Sequence, residues 1–321
     1  MIQNRVAEAP MEAAPFHDDV AEGPADAMAY WVNAADGLRI RVAHWPKDGA
    51  IGTVLIFPGR TEYAEKYGRD AAALAERGFA TVAIDWRGQG LAARLQDDRN
   101  IGHVGKFIDY QLDVAAVMDH CAALDLPKPW YLLGHSMGGC IGLRALHEQI
   151  DVAAAAFSAP MWGIQMSAVM RPAAWALSSL SRYLRFSHVF APGQLAQPYV
   201  LRAAFEVNTL TSDEDMFHYM RRQLEGYPDL ALGGPSLHWL NEALVEMRTL
   251  ANMPAPDIDC VTFLGTDEAI VDTDRVHARM ESWPNGDLVM IQNGRHEVLM
   301  ETPAHRTAIF DRLAEHFIAH R

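Results

Sequence analysis

A serine flanked by two glycines is the first candidate for chemistry in this sequence. Gly134-His135-Ser136-Met137-Gly138 follows a short apolar run and precedes a helical pattern. A tight turn from a buried strand into a helix needs glycine on both sides of its central residue, because a side chain there would collide with neighbouring backbone. The pattern therefore predicts a nucleophilic serine at position 136, with an ordinary glycine-rich turn as the alternative interpretation.

A serine hydroxyl is a poor nucleophile until a neighbouring base removes its proton. His296 follows the apolar run 288–291, where a sheet with this turn carries its base, although the chain has 14 histidines and residue type alone says little. The carboxylate that orients the histidine is expected after the preceding strand. Asp267, Glu268 and Asp272 all lie there, and chain order leaves the choice among them open.

Hydrolysis of an ester also needs N–H donors for the negative charge that develops on the carbonyl oxygen. The backbone N–H of Met137, directly after the serine, is one expected donor. The second is expected from the turn after the apolar run 53–57, where Gly59 permits close backbone approach. The alternative interpretation of Pro58-Gly59 is a plain turn.

Short apolar runs alternate with longer helical patterns, and these elements must position the candidate residues. The predicted strands are 29–32, 39–44, 53–57, 80–84, 130–133, 153–157, 260–264 and 288–291. The predicted helices are 62–77, 106–124, 137–149, 273–282 and 303–320. Near-continuous apolar runs of this length are typical of a parallel sheet covered on both faces. The sequence therefore predicts an α/β fold with a mostly parallel, doubly wound sheet.

The alternation stops in the middle of the chain. We predict that residues 160–250 form an inserted helical cap, between a first part of the core at 1–159 and a second part at 251–321. Residues 152–205 contain no Asp or Glu. Arginine, methionine and tryptophan are frequent there: Arg171, Arg182, Arg185, Arg202, Met161, Trp162, Met166, Met170 and Trp175.

This composition of the cap allows two interpretations. Methionine and tryptophan adapt to an acyl chain, so the cap could form an apolar tunnel with a cationic mouth toward phosphate headgroups or an anionic membrane surface. Alternatively, the apolar residues pack the cap onto the core and the arginines face solvent.

Several further motifs occur in order and together resemble the α/β-hydrolase superfamily. Within it, the sequence is similar to the lysophospholipase and monoacylglycerol lipase group, the serine-aminopeptidase-like or hydrolase-4 families, from about residue 24 onward. The motifs are Phe57-Pro58-Gly59-Arg60-Thr61-Glu62-Tyr63, Asp85-Trp86-Arg87-Gly88-Gln89-Gly90, and Gly102-His103-Val104 followed by Phe107 and Tyr110.

The resemblance implies an α/β-hydrolase fold with an inserted helical cap, and it narrows the candidate roles. It implies that Glu268, the third residue after Gly265, is the acid, although aspartate is commoner in this group. It also implies that the N–H of Arg60 is the second oxyanion donor. We expect Arg87 to be structural and to fix loops near the site.

Composition excludes some classes of function. The chain has 321 residues, 27 basic and 41 acidic, for a net charge of −14, which argues against binding nucleic acid. Three widely spaced cysteines, the absence of a leader-like start and the lack of a long apolar run favour a cytoplasmic protein. No histidine or cysteine cluster has metal-ligand spacing, so we expect no metal and no cofactor.

The expected function is that of a serine hydrolase that cleaves carboxylic esters of lipid-like substrates through an acyl-enzyme. The resemblance favours lysophospholipids, then monoacylglycerols. The alternatives are a peptidase or amidase, an acyltransferase on the same triad, and a non-catalytic ligand-binding protein on this fold. The expected partners are a small lipid-like ester and, transiently, an anionic membrane surface that the cap would contact.

Overall fold

The computed structural model describes residues 11–167 and 169–321. Its strands are β1 (Glu12–Ala13), β2 (Met28–Asn33), β3 (Arg39–Trp45), β4 (Thr53–Phe57), β5 (Ala80–Asp85), β6 (Trp130–His135), β7 (Ala154–Ser158), β8 (Cys260–Gly265) and β9 (Gly286–Ile291). Its helices are α1 (Asp18–Ala21), α2 (Gly68–Glu76), α3 (Tyr110–Ala123), α4 (Met137–His147), α5 (Met170–Tyr183), α6 (Tyr199–Arg202), α7 (Glu214–Gly226), α8 (Leu237–Ala251), α9 (Thr273–Glu281) and α10 (Pro303–Ala319).

The strands form one sheet in the order β1-β2-β3-β5-β4-β6-β7-β8-β9. The pairs from β5 to β9 are parallel, whereas β1, β2 and β3 are antiparallel to their neighbours. The carboxyl ends of β4, β6, β8 and β9 therefore lie along one edge. This is the edge at which open α/β sheets hold their ligands, and it brings together loops that are far apart in sequence.

Helices cover both faces of the sheet, and each face has its own apolar core. On one face Leu55, Leu132 and Ile84 pack with side chains of α3, α4 and α8. On the other face Val54 and Leu133 pack with side chains of α2 and α10. Burial on both faces explains why the central strands appear in the sequence as continuous apolar runs, and the predicted α/β fold with a mostly parallel sheet is confirmed.

Every predicted strand is present, and the differences lie at the ends of elements. The chain adds β1 and α1 before the first predicted strand. The helix predicted over 62–77 begins as a 3₁₀ turn at Ala64–Tyr67 and becomes α-helical only at Gly68. The side chains of Glu62, just before that turn, and of Lys66, within it, are buried and take part in a polar cluster described below.

Helices α5 to α8 lie between β7 and β8, within the segment predicted as a cap; the exact division into core and cap stays a prediction. The sequence places Trp175, Leu177, Leu180 and Leu184 along one side of α5, but only part of that side packs against the core. Ser178 and Ser181 are buried, whereas Leu180 and Leu184 are 52% and 54% exposed. Asn241 of α8 donates to the Ser178 hydroxyl at 3.1 Å, so hydrogen bonds hold part of this helix contact. No helix in the described ranges is both long and apolar enough to cross a membrane.

Candidate active site

Ser136 lies on a sharp turn between β6 and α4. Its backbone has φ 49° and ψ −116°, a conformation that costs a residue with a side chain about 1–3 kcal/mol. A Cβ at Gly138 would collide with the carbonyl of Phe57, and one at Gly134 would lie 3.0 Å from the carbonyl oxygen of Gly138. The two glycines are thus required by close backbone packing, as the sequence predicts.

His296 and Glu268 continue from Ser136 in a chain of hydrogen bonds. The Nε2 atom of His296 lies 3.0 Å from Ser136 Oγ, and its Nδ1 atom lies 2.7 Å from Glu268 Oε2. A carboxylate beside Nδ1 favours the tautomer with the proton on Nδ1, which leaves Nε2 free to accept the serine proton. Ser136 and His296 are only 8% and 4% exposed, so this proton path is largely shielded from water.

Backbone amides hold Glu268 in an orientation that faces the histidine. Its Oε1 atom accepts hydrogen bonds from the N–H of Ile270 at 2.6 Å and of Val271 at 3.2 Å. Burial would raise the pKa of Glu268, but the nearby His296 and these hydrogen bonds outweigh it and lower that pKa. The carboxylate is therefore ionised at neutral pH and orients the imidazole.

The two other candidate acids lie elsewhere. Asp267 is exposed, and its carboxylate contacts only the neighbouring Thr266 hydroxyl at 3.5 Å among the described residues. Asp272 caps the N-terminus of α9 and pairs with Arg171 at 2.7 Å. Of the three carboxylates left open by chain order, the structure thus brings only Glu268 to His296.

The loop after β4 lies directly against the serine turn. Phe57, the last residue of β4, pairs with Gly134 of β6, and Gly138 packs against the carbonyls of Phe57 and Pro58. The loop that carries Arg60 therefore begins beside the serine turn. Within the described chain, the backbone N–H groups of Arg60 and Met137 donate to no protein acceptor. Both amides are therefore available for an anion, as expected for donors to a carbonyl oxygen that gains charge.

Residues of the D-x-R-G-x-G motif hold this loop in place. The Trp86 indole N–H donates to the carbonyl of Pro58 at 2.9 Å. The Gln89 side chain donates to the carbonyl of Gly59 at 3.0 Å and accepts from the N–H of Thr61 at 3.1 Å. The amide of Gln89 thus fixes the loop on both sides of Arg60.

Arg87, which we expected to be structural and to fix loops near the site, makes its ion pairs with segments other than the loop of Arg60 among the described residues. It pairs with Asp113 of α3 at 2.8 Å and with Asp36, in the turn between β2 and β3, at 2.9 Å. The loop-fixing role within the motif therefore belongs to its neighbours Trp86 and Gln89.

A buried polar cluster that sequence reasoning missed lies behind the triad. Glu62 accepts hydrogen bonds from the N–H of Gly59, from the Tyr67 hydroxyl and from the Lys66 ammonium. Lys66 also donates to Glu297, the residue after His296, at 2.7 Å. The cluster thus connects the loop after β4, which carries Arg60 (the oxyanion loop), to the loop that carries His296. The i,i+4 spacing of Glu62 and Lys66 was the only signal of it in the sequence.

The charges within this cluster stabilise one another. Burial would raise the pKa of Glu297, but Lys66 and His135 hold that pKa well below its usual range. Burial would lower the pKa of His135, yet Glu297 and Glu62 outweigh it and raise that pKa. The Nε2 atom of His135, the residue before Ser136, lies 3.2 Å from Glu297. Residues next to both the nucleophile and the histidine are therefore tied to one ionic cluster.

Glu62, His135 and Glu297 also lie close enough together to be considered as metal ligands. Lys66 donates to both carboxylates of this group. A cation is therefore already provided by the chain at this position, and the donor set fits an ion-pair cluster better than a metal.

The residues singled out in the cap divide between core and surface. Met161 and Trp162 are buried, and the Trp162 indole N–H donates to the carbonyl of Gly139 at 3.1 Å. Met170, by contrast, is 60% exposed. Arg171 pairs with Asp272 and Arg182 pairs with Glu242, whereas Arg185 and Arg202 are exposed and have no carboxylate partner in the described ranges.

The parallel sheet, the strained serine turn and the Ser–His–Glu hydrogen-bond chain at its carboxyl edge together define the α/β-hydrolase class. Residues 48–303 match the family described as "Serine aminopeptidase, S33" (Hydrolase_4). The chain belongs to this family, and the resemblance found in the sequence motifs is confirmed.

Two bacterial relatives cover most of the chain. "Lysophospholipase L2" of Escherichia coli strain K12 is 32% identical over 285 residues, covering 83% of this chain and 80% of the relative. "Probable lysophospholipase L2" of Haemophilus influenzae is 27% identical over 260 residues, covering 80% of each chain. With the family match, these relatives identify the protein as a carboxylic ester hydrolase.

Solved structures agree on the fold. A soluble variant of monoglyceride lipase from Saccharomyces cerevisiae superposes with a TM-score of 0.70 at 19% identity, over 90% of this chain and 94% of that one. A thermostable carboxyl esterase from Bacillus coagulans gives a TM-score of 0.70 at 11% identity, over 92% and 98% of the two chains. At these identities the likeness concerns architecture alone.

Proposed function

We propose that the protein is a lysophospholipase that cleaves the acyl ester through a covalent intermediate on Ser136. The observation that carries this proposal is the hydrogen-bond chain from Ser136 Oγ through His296 to Glu268, at 3.0 and 2.7 Å. Glu268 is held by two backbone amides, and the N–H groups of Arg60 and Met137 are available beside the serine. This arrangement contains each part that acyl transfer to a serine requires.

In the acylation step, Ser136 Oγ attacks the ester carbonyl carbon while His296 Nε2 takes the serine proton. The negative charge that forms on the carbonyl oxygen is stabilised by the N–H groups of Arg60 and Met137, each worth about 3 kcal/mol when preorganised. Glu268 stabilises the imidazolium. The bond to the glycerol oxygen then breaks, and His296 returns its proton to this leaving alcohol.

In the deacylation step, water takes the place of the alcohol. His296 removes a proton from water as it attacks the acyl carbon, and the same two amides hold the oxyanion. The bond to Ser136 Oγ breaks, the serine regains its proton and the fatty acid leaves. The reaction consumes one water and yields a fatty acid and a glycerophospho-alcohol.

The substrate assignment rests on the relatives, two of which carry the name lysophospholipase L2 over about four-fifths of the chain. Monoacylglycerols are the second candidate, supported by the monoglyceride lipase among the structural neighbours. An aminopeptidase, the activity in the family's description, would need acidic groups for a substrate amine, and the segment 152–205 has none. An acyltransferase would use the same triad with an alcohol in place of water.

We further propose that residues 160–250 act as a cap that contacts an anionic membrane surface transiently. The support is the exposed apolar side of α5, where Tyr183, Leu180 and Leu184 are 85%, 52% and 54% exposed, close to the exposed Arg185. Apolar side chains beside cations are the composition of interfacial helices. The three cysteines are free and buried, which supports a cytoplasmic location.

Covalent labelling tests the proposed nucleophile. A fluorophosphonate probe should modify the wild-type chain on Ser136, located by peptide mass spectrometry, and should leave Ser136→Ala unlabelled. A substrate panel of lysophospholipids, monoacylglycerols, p-nitrophenyl esters and aminoacyl amides then identifies the reaction, with lysophospholipids expected to give the highest kcat/KM. Labelling at another residue would overturn the mechanism, and a preference for aminoacyl amides would overturn the substrate class.

A further inference from the structure

The side chain of Arg60 extends from the oxyanion loop into the space between two other loops. Its Nη1 atom donates to the carbonyl of Gly233 at 3.0 Å, and a Cβ at Gly102 would lie 3.2 Å from the same atom. The guanidinium carbon lies 5.6 Å from the ring centre of Trp239. The guanidinium is thus held over an aromatic ring, at the far end of the residue whose backbone N–H is the proposed oxyanion donor.

Among the residues that the structure describes, this guanidinium has no carboxylate partner. No Asp or Glu oxygen of the described residues lies within 4.0 Å of it, whereas the buried Arg41 and Arg87 each pair with two carboxylates. Arg60 is half-buried, and burial lowers its pKa to about 10. It therefore stays charged at neutral pH without a counter-charge from the protein.

An unpaired charge away from bulk water costs several kcal/mol unless a ligand supplies the opposite charge. The planar guanidinium fork matches phosphate oxygens with two parallel hydrogen bonds. The low local dielectric that makes the unpaired charge costly makes such a contact strong.

The length of the residue fits a lysophospholipid. About six covalent bonds separate the backbone nitrogen of an arginine from its guanidinium carbon, and about six separate the acyl carbonyl carbon from phosphorus in a 1-acyl glycerophospholipid, roughly 7 Å when extended. If the backbone N–H of Arg60 binds the oxyanion, its own side chain has the reach of the headgroup phosphate.

We propose that the Arg60 guanidinium binds the headgroup phosphate of the substrate and gives the enzyme its preference for lysophospholipids over neutral acyl esters. This inference rests on the proposed function and adds the group that binds the phosphate.

The loop next to the Arg60 guanidinium contributes a histidine, His103, rather than a second permanently charged side chain. His103 bonds to the Ser236 hydroxyl at 2.9 Å, and burial with the nearby His238 and His188 lowers its pKa to about 4.

The test compares selectivity among substrates that carry the same acyl chain. Lysophosphatidylcholine, lysophosphatidic acid, monoacylglycerol and the p-nitrophenyl ester are presented in mixed micelles with a nonionic detergent, and kcat/KM is measured for each. Arg60→Gln should lower the ratio of phosphate-bearing to neutral substrates by about ten- to a hundred-fold. Arg60→Lys keeps the charge but not the fork, so its ratio should fall less.

Arg94 provides the matched control. It too has no carboxylate partner among the described residues, it contacts the carbonyl of Ala231 at 3.4 Å, and burial lowers its pKa to about 10. Arg94→Gln should therefore leave the selectivity ratio at its wild-type value. Because the readout is a ratio within each variant, partial loss of folded protein cancels.

Three outcomes would contradict the proposal. An equal fall on phosphate-bearing and neutral substrates would mean that Arg60 acts through the loop or the oxyanion. Arg60-dependent inhibition by inorganic phosphate with an unchanged ratio would indicate an anion site that does not serve the substrate. If the wild-type enzyme hydrolyses neutral esters but no lysophospholipid, the proposed function itself fails, a result separate from the first two.

Discussion

At the scale of single residues, backbone N–H groups position the Glu268 carboxylate as much as the His296 side chain does. Glu268 has one methylene more than the aspartate common in this family, and the amides of Ile270 and Val271 fix the oxygen that does not face His296. A glutamate can therefore replace an aspartate without loss of order. The adjacent Asp267, which chain order alone does not exclude, points to solvent.

Replacing the acid should lower turnover far more than replacing its neighbour. Glu268→Gln removes the charge that fixes the tautomer of His296 and stabilises its protonated form, so kcat should fall by about 10³–10⁴. Asp267→Asn alters an exposed carboxylate and should change kcat by less than about threefold. The measurement is kcat on a p-nitrophenyl ester for both variants. A larger loss in Asp267→Asn would assign the acid role to Asp267.

The sequence was sufficient to predict those site residues that directly follow a recognisable strand. Ser136 and His296 were predicted from the turn and the late loop, and the resemblance implied Glu268 and Arg60. The roles of Lys66 and Gln89 were missed because their partners are distant in sequence: Lys66 meets Glu297 231 positions away, and Gln89 meets Gly59 30 positions away. Glu62 was missed although its hydrogen-bond donors are near in sequence, because nothing local shows that its carboxylate is buried. A charged residue gives no local sign that it will be buried, since only tertiary packing supplies its counter-charge.

At the scale of elements, α5 and α2 depart most from what their sequences predict. The pattern in α5 predicts one apolar side, of which Trp175 packs against the core whereas Leu180 and Leu184 are exposed. Ser178 and Ser181 are buried instead. Hydrophobic periodicity finds an apolar stripe and cannot tell whether protein or another surface covers it. Just before α2, the charged residues Glu62 and Lys66 are buried, and so is Asp70 within it, which hydropathy would not predict.

The exposed side of α5 should bind vesicles. Replacing Tyr183 and Leu184 together by serine removes two large exposed apolar groups, so the fraction of enzyme that sediments with anionic vesicles should fall several-fold. The rate on a soluble p-nitrophenyl ester serves as the reference for intact enzyme.

Two arginine variants test, in the same vesicle assay, whether exposed positive charge contributes to binding. Arg185→Gln should weaken vesicle binding, whereas Arg182→Gln, whose guanidinium pairs with Glu242, is the matched control and should weaken it less. Unchanged sedimentation of the Tyr183 and Leu184 double variant would rule out α5 as the contact surface.

Asp70 in α2 makes stability depend on pH. It is fully buried, and neither of its oxygens has a hydrogen-bond partner within the described ranges. Burial raises its pKa from 3.8 to about 7 against the attraction of Arg306 and Lys66. Between pH 3.8 and about pH 7, Asp70 keeps its proton in the folded state, whereas in the unfolded chain it has released that proton. The free energy of unfolding should therefore fall as pH rises from about 4 to 7, by up to about 4 kcal/mol.

Asp70→Asn should remove this pH dependence. The variant cannot ionise, so its free energy of unfolding in urea should lose less between pH 5 and pH 8 than that of the wild type. If the buried amide of the variant destabilises the fold, it does so equally at every pH. It therefore does not affect the comparison of how the free energy of unfolding changes with pH. Equal slopes in the two proteins would show that Asp70 is ionised in the folded state across this range.

At the scale of the whole molecule, the sheet order is what assembles the site. Ser136 and His296 are 160 positions apart, and they meet because the strands that precede them end on one edge of a parallel sheet. The alternation of apolar runs and helical patterns was sufficient to predict this edge. The net charge of −14 is unevenly distributed, with an acid-free stretch from 152 to 205, which agrees with a charged body and a cap of different character.

The claim that the protein is a lysophospholipase with Ser136 as its nucleophile is tested most directly by one measurement. It is the release of fatty acid from lysophosphatidylcholine by the wild-type chain and by Ser136→Ala. We expect steady turnover by the wild type and a fall of at least about 10⁴-fold in kcat for the variant, which lacks the nucleophile but folds with the same thermal midpoint within a few degrees. A variant that retained more than about a tenth of the wild-type rate, or a wild-type chain that released no fatty acid, would contradict it.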